Sequence, residues 1–421
     1  MIKASEFKER REKLFQTMND GSIAIIFAGY PKMRSADAEY DFSVNRNFYY
    51  LTGISQEHSI LLLVKSESFK ETYLFIDEKN ENKEKWLGIK LAVNEAQDVS
   101  GIDNVLLTSS FEGKLNVILN KDLSHFGDIK IVYLDLEKEL KIGEEMSTIK
   151  YQDVLLKKYP GIKIEDIYAK ICRLRMRKSQ QEVTLIKEAI KTTEVGINNV
   201  LKEMCDGKYE YNLRNIFEYT IKEDNQSGIA FPTIVAGGVN ATILHYPNAT
   251  DTLKDGDLVL IDCGASKDNY CADISRTFPI NGKFSDIQKL IYSIVLECNK
   301  ATIKFIKPGL RLNEVKEFAR NFLAEKCLEH KLIKTYDEIS RVYYHSCSHH
   351  LGLDTHDVFD VMDKVLESGN IITCEPGLYF KEYNVGVRIE DDILVTNDGS
   401  ECLSSDIIKE IDDIESLLSS K

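Results

Sequence analysis

The sequence predicts two domains, an α/β domain over residues 1–172 and an α+β domain over 173–421. Two observations set that reading apart from a single fold, and a third allows it. Apolar β-type runs at 23–27, 59–64, 72–76 and 131–134 alternate with helical patterns, as expected of strands and helices in one α/β layer structure. Beyond Ile171 the pattern changes: long helices come first, and β-type runs return near the end, at 370–380 and 385–396. At 421 residues and 43% hydrophobic content, the chain is long and apolar enough for two ordinary cores.

The elements follow in order. Residues 5–18 read as an amphipathic helix. The stretch from Asn45 to Gly53, Asn-Arg-Asn-Phe-Tyr-Tyr-Leu-Thr-Gly, is aromatic and reads as core and turn rather than as a ligand patch. In the second domain Ser179-Gln-Gln-Glu182 is a capping box, whose hydroxyl and carboxylate satisfy exposed N–H groups at a helix start. Val183, Ile186, Ala189, Ile190, Val195 and Ile197 then recur at helical spacing as far as Met204. A second box, Ser285-Asp-Ile-Gln288, opens a helix that stops near Pro308-Gly309, and a third helix covers 313–328.

Charge and cysteine usage exclude several classes. A formal net charge of −14, with basic residues clustered only in short runs such as Arg173 to Lys178, argues against a nucleic-acid partner. The first residues are charged and lack the apolar core of a signal peptide, and nowhere do eighteen apolar residues run together. The expectation is a cytoplasmic protein without a membrane partner. Nine cysteines, with no paired framework and no zinc-finger spacing, fit reduced thiols.

The chemistry concentrates in a few acids and histidines. Leu258 to Ile261 is a continuous apolar run, the pattern of a strand buried on both faces, and it ends in Asp262. An ionised carboxylate there requires a cation, a metal or a proton, because burying it alone is very costly. Past a turn at 264–269 a second extended run carries Asp273, so a hairpin would aim both acids at one spot. Glu375 ends another apolar run. In Val385-Gly-Val-Arg-Ile-Glu-Asp-Asp the alternation puts Arg388 and Glu390 on one face, where Arg388 can steady Glu390 or face the same cavity. Between the two groups lies His345-Ser-Cys-Ser-His-His-Leu-Gly-Leu-Asp-Thr-His-Asp357. A lone acid ending a strand is ordinarily a cap or turn residue, and a lone histidine is ordinarily a hydrogen-bonded core or surface residue. Four such acids with a histidine cluster between them are jointly what a divalent metal site needs.

These motifs carry a family resemblance. Asp262, Asp273, His349, Glu375 and Glu390 stand in the contexts Leu-Ile-Asp-Cys-Gly, Ala-Asp-Ile-Ser-Arg-Thr-Phe, Ser-His-His-Leu-Gly-Leu-Asp-Thr-His-Asp, Glu-Pro-Gly-Leu-Tyr and Val-Arg-Ile-Glu-Asp-Asp. In this order and context they resemble the pita-bread metallopeptidases, and among those most closely aminopeptidase P. Arg46 to Gly53 is similar to that family's N-terminal domain, so the likeness spans essentially the whole chain. It implies a catalytic domain of curved antiparallel sheet backed by helices. It also implies release of the N-terminal residue from peptides with proline in second position. Proline's tertiary amide lacks the N–H that ordinary peptidases use, which is why a dedicated pocket is needed.

The resemblance further implies two divalent ions held by the five matching positions, with Asp262 and Glu390 as bridges and Asp273, His349 and Glu375 completing the shells. Oxygen-rich ligation favours Mn²⁺, with Co²⁺ or Zn²⁺ able to substitute. Glu375 matches the family's proton shuttle as well as a ligand. His245 and His356 match its two outer histidines, which contact the scissile peptide, and His345 and Arg388 match residues near the proline-binding end. The partners implied are proline-containing peptides and further copies of the chain, in a dimer or tetramer. Ser346, His350 and Phe359 depart from the family's pattern, and the interval from Glu375 to Glu390 is short. None of these touches a presumed ligand; they bear on the entrance. The nearest alternative is a prolidase acting only on Xaa-Pro dipeptides, and an alternative of another class is a non-catalytic pita-bread module that binds peptides. Cys263, Cys271 and Cys374 lie close to the acids, and small core-filling residues account for them better than metal ligation or redox control.

Overall fold

The computed structural model describes residues 2–136, 147–223, 227–359 and 365–419. The chain divides into two compact units, Met1–Arg175 and Met176–Lys421.

In the first unit six strands form one mixed sheet. They are β1 (Ser22–Phe27), β2 (Ile60–Lys65), β3 (Lys70–Ile76), β4 (Asn104–Leu107), β5 (Ile131–Leu134) and β6 (Lys163–Asp166), in the order β4-β3-β2-β1-β5-β6. Strands β1 to β3 pair antiparallel, and β4, β5 and β6 join in parallel. The apolar runs have their expected fate: Ile23, Ile25, Leu62, Val64, Phe75, Val132 and Leu134 share one core cluster.

Helix α1 (Ala4–Thr17) buries Phe7, Leu14 and Phe15 together with two arginines. The arginines are tolerated because Arg10 donates to the Tyr50 carbonyl at 3.0 Å and Arg11 to the Leu51 carbonyl at 2.7 Å, carbonyls that a helix end leaves unpaired. That helix, α2 (Arg46–Thr52), is the aromatic stretch; it is buried core, as expected, but helical rather than a turn. The Asn45 side chain caps its start by accepting from Phe48 N at 2.9 Å. Gly53 ends it at φ 70°, where a Cβ would lie 2.4 Å from the Phe7 ring.

The second unit is built on two interrupted hairpins. Strands β7 (Ile234–Gly237), β8 (Leu258–Cys263) and β11 (Ile274–Pro279) form an antiparallel sheet, in which Cys263 pairs with Ile274. The ladder then breaks and resumes between β9 (Ala265–Lys267) and β10 (Tyr270–Cys271), around Asp268 and Asn269 at φ 47° and 66°. Two successive positive φ values are what a two-residue type I′ hairpin turn demands, so the tight turn falls there. Gly264 marks the break. A Cβ on it would meet the Ala272 carbonyl oxygen at 1.9 Å.

The second hairpin corrects the sequence expectation of two unbroken strands. Strand β12 (Ile371–Cys374) pairs with β15 (Asp391–Val395), and β13 (Gly377–Phe380) with β14 (Val385–Arg388), leaving gaps at Glu375-Pro376 and Ile389-Glu390. Pro376 has no N–H for the ladder, and the acids' own N–H groups go elsewhere. Glu375 N donates to the Cys347 carbonyl at 2.9 Å and Glu390 N to the Ser275 carbonyl at 3.0 Å.

Helices back both hairpins. The capping box of α3 (Gln180–Glu203) forms as expected, and Glu182 also accepts from Tyr270 OH at 2.9 Å while Thr193 Oγ1 accepts from Ala265 N at 2.9 Å. From α5 (Asp286–Phe305), Asn299 donates to the carbonyls of Cys374 and Ile389, each at 3.3 Å, and so spans the second gap. Helix α4 (Glu210–Ile221) precedes β7, and α6 (Leu312–Glu329) covers the third predicted helix.

Candidate metal centre

Asp273, Glu375 and Glu390 stand in the interruptions, outside the paired runs, while Asp262 is the next-to-last residue of β8 and pairs with Ile234 and Ser275 just before the first break. The gaps converge on one cavity of about 610 Å³. All nine site residues named from the sequence line it: His245, Asp262, Asp273, His345, His349, His356, Glu375, Arg388 and Glu390. Phe231, Pro232 and Leu244 add apolar wall, and Arg214, Asn215 and Glu218 of α4 also line it.

The acids are crowded. Ligand-capable atoms of Asp273, His349 and Glu390 all lie within 4.8 Å of one another. His349 Nε2 is 3.4 Å from Asp273 Oδ2 and 3.6 Å from Glu375 Oε1. Its other nitrogen, Nδ1, is 3.0 Å from the His350 carbonyl and must carry the proton, so the lone pair on Nε2 faces the carboxylates. Burial and the neighbouring carboxylates raise Asp273 and Glu375 well above the usual carboxylate range. Glu390 is raised to about 7, first by burial and then by Asp262. Four carboxylates around one space want a positive charge larger than the one Arg388 supplies.

Arg388 engages Asp262 rather than Glu390 directly. Its Nη2 donates to Asp262 Oδ2 at 2.7 Å and its Nε to Ser275 Oγ at 2.7 Å, and that hydroxyl donates to Glu390 Oε2 at 2.7 Å. Asp262 Oδ1 is buried and, among the described residues, has no hydrogen-bond partner. An orphaned carboxylate oxygen, an imidazole lone pair and carboxyls whose proton affinity is raised by burial and by one another fit a divalent cation, whose charge would take the place of protons there.

On the other wall, Arg388 Nη1 donates to Tyr379 OH at 3.2 Å, which lies 2.9 Å from His345 Nε2. His345 Nδ1 is 2.7 Å from the Ser346 carbonyl and carries that ring's proton, so Tyr379 donates to Nε2. Burial and the Arg388 charge lower His345 to about 3, and burial with His349 and His245 nearby lowers His356. Both imidazoles are neutral at pH 7.

Beneath the gap, Arg276 is fully buried and donates to the Glu390 carbonyl and to Asp391 Oδ1 at 2.8 Å. Asp391 also accepts from Lys409, Ser404 and Asn299, and is held below the usual carboxylate range by the two cations, Arg276 first. Sequence reasoning missed this plate and missed Ser275 and Tyr379. Strand parity could have found the last two: Ser275 is two residues from Asp273, and Tyr379 four from Glu375. Cys263, Cys271 and Cys374 are buried and none lines the cavity; Cys271 Sγ points to the Leu353 carbonyl.

An interrupted-hairpin domain with acids at each gap defines a class of metal-dependent hydrolase, and comparison with known proteins narrows it. Residues 184–397 match metallopeptidase family M24, and residues 7–125 match the aminopeptidase P N-terminal domain. The chain belongs to family M24, in its aminopeptidase P branch. It is 32% identical to the Xaa-Pro aminopeptidase of Escherichia coli (strain K12), over 99% of this chain and 98% of that protein. A candidate aminopeptidase P structure from Bacillus anthracis superposes with a TM-score of 0.96 at 46% identity, covering 100% of this chain and 99% of the other. The zinc-substituted E. coli aminopeptidase P in complex with product superposes with a TM-score of 0.91 at 31% identity, over 100% and 99%.

Proposed function

We propose that the cavity is the active site of an Xaa-Pro aminopeptidase, a metal-dependent exopeptidase that releases the N-terminal residue from peptides with proline in second position. The observation that carries this reading is the convergence of four carboxylates and the Nε2 of His349 on one cavity walled by three further histidines. Asp262, Asp273, His349, Glu375 and Glu390 would hold the divalent ions. Two divalent ions, Mn²⁺ by the oxygen-rich character of the donors, supply charge to activate water and polarise the scissile carbonyl when bound.

The chain's residues do the rest. Glu375, which faces the same cavity as the other acids, takes a proton from the attacking water and hands it to the proline nitrogen as the bond breaks. His245 and His356 line the same space as the acids and contact the scissile peptide, donating to the developing oxyanion. Neutral His345, stacked edge-on against Tyr379 with ring centroids 5.5 Å apart, offers an uncharged aromatic wall for the proline ring.

All nine cysteines are free, and among the described residues no helix is long and apolar enough to cross a membrane; we assign the protein to the cytoplasm. We further assign a homodimer or homotetramer, supported by the exposed Tyr30, Met33, Tyr40, Trp86 and Ile89 of the first unit. The test of substrate class is parallel hydrolysis of an Xaa-Pro dipeptide, an Xaa-Pro-Yaa tripeptide and a longer Xaa-Pro peptide. Cleavage of the longer two supports the reading, and cleavage of the dipeptide alone replaces it with a prolidase.

A further inference from the structure

Outside the cavity, a second ion pair of this unit is almost wholly buried. Lys178 Nζ lies 2.9 Å from Asp357 Oδ2, and both side chains are 1% exposed. Removing two charges from water is costly, and a pair of this kind rarely adds stability over an apolar substitute of the same volume. Its position suggests what it does instead.

Asp357 immediately follows His356 and closes the base of the loop that begins after His350. Its N–H donates to the His350 carbonyl at 2.8 Å, and the same carbonyl accepts from His349 Nδ1 at 3.0 Å. One oxygen thus ties the base of the loop to the orientation of the His349 ring. The rings of His349 and His356 meet edge to face with centroids 4.3 Å apart. Within the loop Gly352 leaves room for the pair: a Cβ there would lie 2.3 Å from Asp357 Oδ2 and 2.9 Å from Lys178 Cε.

Lys178 is itself held. Its N–H donates to the Gly369 carbonyl at 2.8 Å, and the next residue, Ser179, is the cap of α3. The lysine therefore projects from the rigid start of a 24-residue helix.

We propose that Lys178 and Asp357 are a positioning pair that fixes the loop between His349 and His356, so that both imidazoles present the correct edge to the cavity. The inference rests on the proposed function for the role of those imidazoles. The chain needs a charged pair here because the carboxylate must accept from a donor anchored on a separate element, which an apolar contact cannot orient.

The test uses the full-length protein with three variants: Asp357→Asn, Lys178→Met and the double Lys178→Met/Asp357→Asn. Thermal midpoint, Mn²⁺ affinity by calorimetry, and kcat and KM on an Xaa-Pro-Yaa peptide at saturating Mn²⁺ are measured for each. Each single variant removes one charge of the buried pair while keeping the other, and loses thermal stability. The double variant, with both charges removed, regains it but keeps a kcat and a Mn²⁺ affinity each about 10- to 100-fold below wild type, with KM nearly unchanged. A folded double variant with wild-type kcat and Mn²⁺ affinity overturns the proposal, because the pair would then serve stability alone. Should the wild type bind Mn²⁺ yet cleave no Xaa-Pro peptide, the functional reading fails while the effect on Mn²⁺ affinity still decides the pair's role.

Discussion

Arg388 Nη2 stands 2.7 Å from Asp262 Oδ2, and the other oxygen of that carboxylate is buried with no hydrogen-bond partner among the described residues. The guanidinium therefore chooses which oxygen remains for a ligand bond. It also grips Ser275 and Tyr379, so a single side chain sets the aim of Asp262, Glu390 and His345 together. Arg388→Ala should lower kcat/KM about 100-fold, the scale expected when reacting groups are displaced by about an ångström. Kinetics beside metal analysis by mass spectrometry checks this; unchanged kcat/KM would show that the contact is incidental.

Gly264 permits the break that brings Asp262 and Asp273 to one point, since a methyl group there would sit 1.9 Å from the Ala272 carbonyl oxygen. Gly264→Ala should forfeit metal binding before it forfeits the fold. The check is Mn²⁺ titration calorimetry with circular dichroism: native secondary structure and Mn²⁺ affinity reduced at least about tenfold are expected, the range seen when support of a ligand is lost.

The crowded carboxylates give the metal-free protein an unusual pH dependence. Glu390 is raised from 4.5 to about 7, so the folded chain holds a proton that the unfolded chain gives up. Stability from this group is fully present below pH 4.5 and is lost as pH rises through about 7. Asp273 and Glu375, raised in the same direction, add to the loss. In chelator the thermal midpoint should fall between pH 4.5 and 7, and saturating Mn²⁺ should reverse the trend because the bound ion displaces these protons. Melting curves at a series of pH values with and without Mn²⁺ decide it.

His245 and His356 line the cavity without being part of the tightest acid cluster. His245→Ala and His356→Ala should each reduce kcat by about 10²- to 10³-fold, as for loss of a donor to a developing oxyanion. Metal content should stay near wild type. Loss of metal from the His356 variant would make it a ligand instead.

Much of this was legible beforehand because charge next to apolar runs is a strong signal. Asp262 and Glu375 each end a continuous apolar strand, and the structure brings them to the same cavity with the histidine cluster. The alternation that put Arg388 and Glu390 on one face holds as well: both line it. What sequence could not give was the interruption of the strands. Periodicity sees 370–380 as one run, whereas Pro376 and the diversion of Glu375 N to the Cys347 carbonyl split it, a contact between residues distant in sequence. The same limit hid Arg276, whose partners Glu390, Asp391 and the Ile407 carbonyl lie more than a hundred residues away. The aromatic helix at Arg46–Thr52 was missed for the opposite reason, since seven residues are too few to display a helical period.

The most direct test is release of the first residue from an Xaa-Pro-Yaa peptide by the chelator-stripped protein, by the same protein reloaded with Mn²⁺, and by a reloaded Glu375→Gln variant. The account predicts no release when stripped, full release on reloading, and a loss of at least about 100-fold in the variant, the lower end of general acid–base catalysis. Equal release with and without metal, or none from a protein that has taken up two ions, would contradict it.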